Sequence, residues 1–253
     1  MRSRLLIVPA AGLGTRLGAD LPKLLVPVAG TPMIDRLLAL FERFVRGAIV
    51  IVHPSFAERV SAHVRQAAVP VALAIQATPT GMLDAIRLAE RDIRAAAPDE
   101  VWIVWCDQVA IHPRTIQRLA DTMAATPDVP LAVPTVARRH PYIHLRRDSG
   151  GRIDAVLHRR EGDVMPETGE SDMGLFALSR HAYLDLLPSY ALDVSIGGAT
   201  GERNFLPFIA WASARGQVVT FPATDEMESV GVNTPDELHA VERYLMTREP
   251  TAR

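Results

Sequence analysis

The sequence predicts an α/β fold in which a doubly wound, mixed and mostly parallel sheet carries helices on its faces. Three observations lead there. Short apolar runs at 5–8, 48–52, 71–75 and 101–105 alternate with segments of helical periodicity through the first half of the chain. Such β-α-β alternation implies right-handed crossovers and a parallel sheet covered on both sides. After about Pro130 the rhythm changes to strands with fewer helices, which predicts a smaller second subdomain within one domain spanning 1–253.

The elements follow in order. Leu5–Val8 is a buried strand leading into a glycine-rich turn, and Met33–Phe44 is a helix with Ile34, Leu37, Leu38 and Phe41 on one stripe and Asp35, Arg36 and Arg43 off it. Strands at 48–52 and 71–75 precede a helix over Thr80–Ala97, whose stripe is Met82, Ile86, Ala89 and Ile93. Val101–Trp105 is the next strand, followed by strands at 131–136, 153–157 and 173–177. Pro188–Glu202, with Gly197, Gly198 and Gly201, reads as a long polar connection, either an ordinary loop or a lid. Arg203–Arg215 returns to helix, Gln217–Phe221 to strand, and Thr234–Leu245 to a closing helix capped by Thr234 or Asn233. No internal repeat is visible, and no hexapeptide β-helix pattern.

Composition excludes several classes of function. The 253 residues are 48% hydrophobic and 22% charged, enough for a sizeable core and unlike a disordered chain. A net charge of −2 argues against nucleic acid or an anionic membrane as partner, and no apolar run of about 18 residues exists. One cysteine, Cys106, leaves no disulfide framework and points to a reducing cytoplasm. His140 and His144 stand four apart, but Pro141 between them disfavours the helix a zinc pair would need.

In a sheet of this kind ligands bind beyond the carboxyl ends of the strands, where the segments after Leu5–Val8 and Val101–Trp105 both lie. The first of these, Ala10-Ala11-Gly12-Leu13-Gly14-Thr15-Arg16-Leu17-Gly18 followed by Pro22-Lys23, has the makings of a phosphate cradle. Its glycines let backbone N–H groups converge, and Arg16 and Lys23 add positive charge. The spacing G-x-G-x-x-x-G with Pro22 behind it departs from a dinucleotide fingerprint, and Ala19-Asp20 after Gly18 departs from a Walker A loop. Asp107 ends the apolar run 101–105 on the same edge and presents a hard oxygen ligand suited to Mg2+, which needs few protein ligands beside phosphate and water. The competing role for Asp107 is a cap for the helix starting near His112-Pro113.

These segments, with Gly30-Thr31-Pro32-Met33, resemble the A-A-G-x-G-x-R, P-K and G-x-P-M signature of nucleotidyltransferases that join an NTP to a sugar phosphate or similar phosphate. The resemblance implies a Rossmann-like fold of the nucleotide-diphospho-sugar transferase type, with a nucleotide-binding half at about 1–130 and an acceptor-binding half at about 131–253. It implies Mg2+-dependent condensation with release of pyrophosphate, and Arg16 and Lys23 as the catalytic pair on the triphosphate. Ala10, Ala11, Gly12, Gly14 and Thr15 would line the nucleotide. Gln76-Ala77-Thr78-Pro79-Thr80-Gly81 is similar to the base-recognition segment of uridylyl- and thymidylyltransferases, so Gln76 and Gly81 would favour UTP or dTTP; read alone it is a Pro-Gly turn entering a helix.

Glu228-Ser229-Val230-Gly231-Val232-Asn233 resembles the family's E-G-V-N segment and makes Asn233 the second metal ligand beside Asp107; without the family it is an Asn at a helix start. On the acceptor side Gly151, Asp172 and Gly174 match more weakly. Asp172 stands where many relatives have Asn, and Arg159 or Arg160 where a lysine usually meets the sugar phosphate.

The implied partners are an NTP and a small phosphorylated acceptor, with a homo-oligomer left open. The competing readings are a cytidylyltransferase for a polyol or other small phosphate, a MobA-like nucleotidyltransferase, which Asp107-Gln108 keeps in view, and a non-catalytic nucleotide-binding regulator.

Overall fold

The structure, a computed structural model, describes residues 2–12 and 21–248. Strand β1 (Arg4–Ala10) is buried throughout, as a central strand covered on both faces must be. A short ribbon of β2 (Pro27–Val28) and β3 (Thr31–Pro32) leads to helix α1 (Met33–Phe41). Then follow β4 (Ala48–Val52), α2 (Pro54–Val64), β5 (Val71–Ile75), α3 (Met82–Arg87), α4 (Glu90–Ala96), β6 (Glu100–Val104) and α5 (Pro113–Ala125). The later part holds β7 (Leu131–Arg139), β8 (Ile143–Arg147), β9 (Ile153–His158), β10 (Thr168–Asp172), β11 (Leu175–Ser179), α6 (Leu187–Asp193), α7 (Phe208–Ser213), β12 (Val218–Pro222) and α8 (Pro235–Arg248).

The main sheet runs β10-β7-β11-β6-β1-β4-β5, with β12 also paired to β7. β5, β4, β1 and β6 are mutually parallel, whereas β11 runs antiparallel to both β6 and β7. Parallel order therefore belongs to the first half of the chain and mixed order to the second. The chain winds outward from β1 through β4 to β5 and then returns to β6 on the other side of β1. Such a reversal opens a crevice beyond the carboxyl ends of β1 and β6. One core packs α1, α2, α5 and α8 on one face of the sheet, with Leu6, Val8, Trp102 and Val104 pointing into it. The other, around Leu5, Ile7, Ile49 and Ile103, receives α3, α4, α6 and α7. β8 and β9 form a separate two-stranded ribbon.

Several elements differ from the sequence expectation, each for a local reason. The helix expected over Thr80–Ala97 is two helices that start at Met82, because Gly81 sits at φ +122, and break at Leu88-Ala89, where hydrogen bonds tighten to the third residue back. The strand expected at 173–177 starts only at Leu175, as β11, because Gly174 at φ +71 turns the chain there, and β10 before it was not expected. Helix 203–215 shortens to α7, because residue 203 is extended: Arg203 N–H donates to the Thr80 carbonyl and Leu83 N–H to the Arg203 carbonyl. The polar connection expected at 188–202 is helical as far as Asp193, burying Leu187, Tyr190 and Ala191. Among the described residues no helix is long and apolar enough to cross a membrane.

Candidate active site

β1 and β6 end side by side, and the residues that follow them meet a third segment arriving before α8. Lys23, in a single helical turn Lys23–Leu25, sends its ammonium across this gap. Nζ donates to Asp107 Oδ2 at 2.6 Å and to Asn233 Oδ1 at 2.7 Å. All three belong to the sequence-predicted set, and they are brought to one point from positions far apart in the chain. The Lys23 and Asp107 side chains retain 15% and 13% of their exposure, so the pair is sheltered yet reachable from solvent.

Neither Asp107 nor the Asn233 amide oxygen caps a helix. The cap of α5 is His112, whose Nδ1 accepts the Arg114 N–H, so Asp107 is not the helix cap. Thr234 caps the last helix, its hydroxyl oxygen accepting the Glu237 N–H at 3.3 Å, which leaves the Asn233 amide oxygen for Lys23. The segment before Asn233 is docked on residue 107 itself: Val232 N–H donates to the Asp107 carbonyl at 3.2 Å. A Cβ at Gly231 would lie 3.0 Å from Asp107 Oδ2 and 3.2 Å from Asn233 Nδ2, so the approach depends on the missing side chain.

Glu228 is the positioning residue that sequence reasoning overlooked. It is fully buried, and its carboxyl accepts the N–H groups of His112, Thr224 and Asp225 at 2.8–3.0 Å. It thereby ties the start of α5, just after Asp107, to the segment that delivers Asn233. Burial pushes its carboxyl above the usual range, against the pull of those hydrogen bonds. The signal was present as the first letter of the E-S-V-G-V-N run, read there only for its last.

On the nucleotide side, Ala10 and Ala11 are buried at the end of β1, and Gly12 is exposed with no described atom within 4 Å of a Cβ built on it. Gly14, Thr15 and Arg16 lie outside the described residues. Gln76 and Gly81 are adjacent, the Gln76 amide donating to the Gly81 carbonyl at 3.2 Å. Only glycine fits at 81, since a Cβ would fall 2.5 Å from the Arg203 backbone.

The acceptor-side residues divide into two groups. Asp172 and Gly174 reach the carboxyl end of β6: Gly174 N–H donates to Asp172 Oδ1 at 2.8 Å, and its carbonyl accepts the Trp105 N–H at 2.9 Å. Burial raises the Asp172 carboxyl to about 6, with the Gly174 N–H pulling the other way. Gly151 sits in the exposed hairpin turn between β8 and β9. Arg159 donates to the carbonyls of His140 and Pro141 at 2.8 and 3.1 Å, and Arg160 lies 3.7 Å from Glu202. The structure holds both arginines through partners of their own. Cys106, beside Asp107, is buried and pushed up to about 12, chiefly by loss of water, so it stays a thiol.

A MobA-like NTP transferase domain matches residues 6–171, well over half of the chain. The chain belongs to that family. Residues 6–171 are thus an NTP transferase domain, and they contain Lys23 and Asp107. Among curated relatives, the bifunctional protein GlmU of Cereibacter sphaeroides is 29% identical over 249 residues, 98% of this chain and 53% of that protein. The bifunctional protein GlmU of Pseudomonas putida is 31% identical over 248 residues, 96% of this chain and 52% of that protein. That of Alkalilimnicola ehrlichii is 30% identical over 249 residues, covering 96% and 51%. The transferase thus spans about half the length of these relatives.

Proposed function

We propose that the chain condenses an NTP, UTP or dTTP by preference, with a sugar 1-phosphate or similar small phosphate, giving an NDP-activated product and pyrophosphate. One observation carries the reading: Asp107 Oδ2 and Asn233 Oδ1 both lie within 2.7 Å of a single cationic atom, Lys23 Nζ. Two hard oxygens aimed at one point fit Mg2+, with water and phosphate oxygens completing its shell. A bound Mg2+ would neutralise phosphate charge and orient the reacting groups.

The remaining chemistry falls to the chain. An oxygen of the acceptor phosphate attacks the α-phosphorus of the NTP, forming a new P–O bond as the bond to the bridging oxygen breaks and its electron pair leaves with pyrophosphate. The attacking group is already an anion, so no side chain has to remove a proton, and positioning with charge neutralisation is what matters. Lys23, released from Asp107 and Asn233 when phosphates arrive, donates to the oxygens on the α-phosphorus. Arg16 and the N–H groups around Gly12 hold the outgoing phosphates. Gln76 turns the free edge of its amide to the base, which supports a pyrimidine with an imide edge. Asp172 and Gly174, close to β6, receive the acceptor.

The test is a pyrophosphate-release screen of each NTP against pooled sugar and polyol phosphates, with Mg2+ or with chelator. Wild-type turnover with Mg2+ should fall about 10²–10³-fold or more in Asp107→Ala. Circular dichroism should be unchanged. Undiminished turnover in Asp107→Ala overturns the metal assignment, and turnover only with CTP overturns the base preference.

A further inference from the structure

Gln108 follows Asp107 directly, and nothing in the mechanism above uses it. Its N–H closes a turn on the Trp105 carbonyl at 3.1 Å. The side chain then lies against the corner between β10 and β11, where a Cβ on Gly174 would fall 2.8 Å from Gln108 Cγ and 2.5 Å from Trp105 Cδ1. The same Gly174 donates its N–H to Asp172. Gln108 is therefore next to Asp107 in the chain and next to the Asp172 corner in space, between the phosphate end and the acceptor end of the site.

The surroundings do not satisfy it. Gln108 is 7% exposed, and among the described residues its Oε1 is buried without a hydrogen-bond partner. Leaving a buried amide oxygen unpaired costs roughly ten- to a hundredfold in the folding equilibrium. Turning the terminal amide over does not help, because Nε2 then occupies the same place. Leucine has nearly the same bulk and would carry no such cost. An amide stored without a partner has everything to gain from a ligand that supplies one.

We propose that Gln108 is a specificity-determining residue for the acceptor: with substrate bound, its amide swings from the β10–β11 corner to a hydroxyl of a polyhydroxylated phosphate. Oε1 then accepts the hydroxyl proton and the amide N–H groups face its oxygen lone pairs. The acceptor is a sugar or polyol phosphate with a hydroxyl near the phosphate it donates. This rests on the transferase reading above, which seats the acceptor at Asp172 and Gly174, beside Gln108.

The experiment compares wild type with Gln108→Leu in steady-state pyrophosphate release, varying acceptor and NTP separately, with thermal unfolding alongside. Two acceptors are used, the best one from the screen and its deoxy analogue lacking that hydroxyl. The expected result is an acceptor KM about tenfold higher in Q108L, an unchanged NTP KM, and loss of discrimination between acceptor and deoxy analogue. The melting temperature should hold or rise, since the unpaired atom is gone. Unchanged acceptor KM, or a fall in melting temperature with both KM values moving together, overturns the proposal and leaves the transferase reading standing. A wild-type chain that releases no pyrophosphate with any NTP and phosphate overturns both.

Discussion

Replacing Asp172 by Asn should stabilise the protein, and by an amount that depends on pH. The Asp172 carboxyl is buried and raised from 3.8 to about 6, mainly because the charged form loses its water. A raised carboxyl pKa means that the native state holds the proton more tightly than the unfolded chain. Below pH about 3.8 both states are protonated and the burial is harmless. Between about 3.8 and 6 the unfolded chain ionises while the native protein resists, so stability falls as pH rises. Above about 6 the native carboxyl ionises too, and the loss levels off near 3 kcal/mol, about two pKa units at 1.36 kcal/mol each. Asparagine keeps an oxygen for the Gly174 N–H and cannot ionise. Urea unfolding of wild type and Asp172→Asn at pH 4, 5, 6 and 8 should therefore give a stability difference that climbs with pH by up to about 3 kcal/mol at equal m-values. Any constant offset reports the change of side chain alone. A difference flat from pH 4 to 8 would show that Asp172 is solvated or paired, and would refute the reasoning.

Gly231→Ala should lower turnover more than stability, because the new methyl presses on Asp107 Oδ2 and on the Asn233 amide nitrogen, displacing the two side chains that face Lys23. Pyrophosphate release with a melting curve checks this, and wild-type turnover would refute it. Cys106 should resist a water-soluble thiol reagent at pH 8 in the folded protein and react at once in denaturant, since burial holds it as a thiol with its pKa near 12. A stoichiometric thiol titration distinguishes the two rates.

The central strands were legible in the sequence because strands buried on both faces carry their signal in composition alone. Ala48–Val52 appears at the expected residues and β6 is displaced by only one, and the half-exposed edge strand Val71–Ile75 also falls where its short apolar run puts it. What escaped was set by backbone geometry at single residues. Gly174 delays one expected strand, Gly81 delays a helix, and β10, Thr-Gly-Glu-Ser-Asp, carries no apolar residue at all. The site was legible where residue type and spacing are chemically demanding: Lys23, Asp107 and Asn233 were named individually and meet. Glu228 was passed over because its work, gathering three N–H groups from two segments, depends on which turns come together and leaves no local pattern. The arginine pair 159–160 shows the converse, with charge visible in the sequence and partners that are not.

The Lys23–Asn233 hydrogen bond joins residues 210 positions apart. A chain emerging from the ribosome has every residue of the matched region, 6–171, long before Asn233 appears. Synthesis proceeds at about 5–20 residues per second. Strands β1, β4, β5 and β6, with Lys23 and Asp107, thus exist for several seconds before the segment carrying Val232 and Asn233 can dock on Asp107. Of the three residues that meet there, Asn233 is the last to be made.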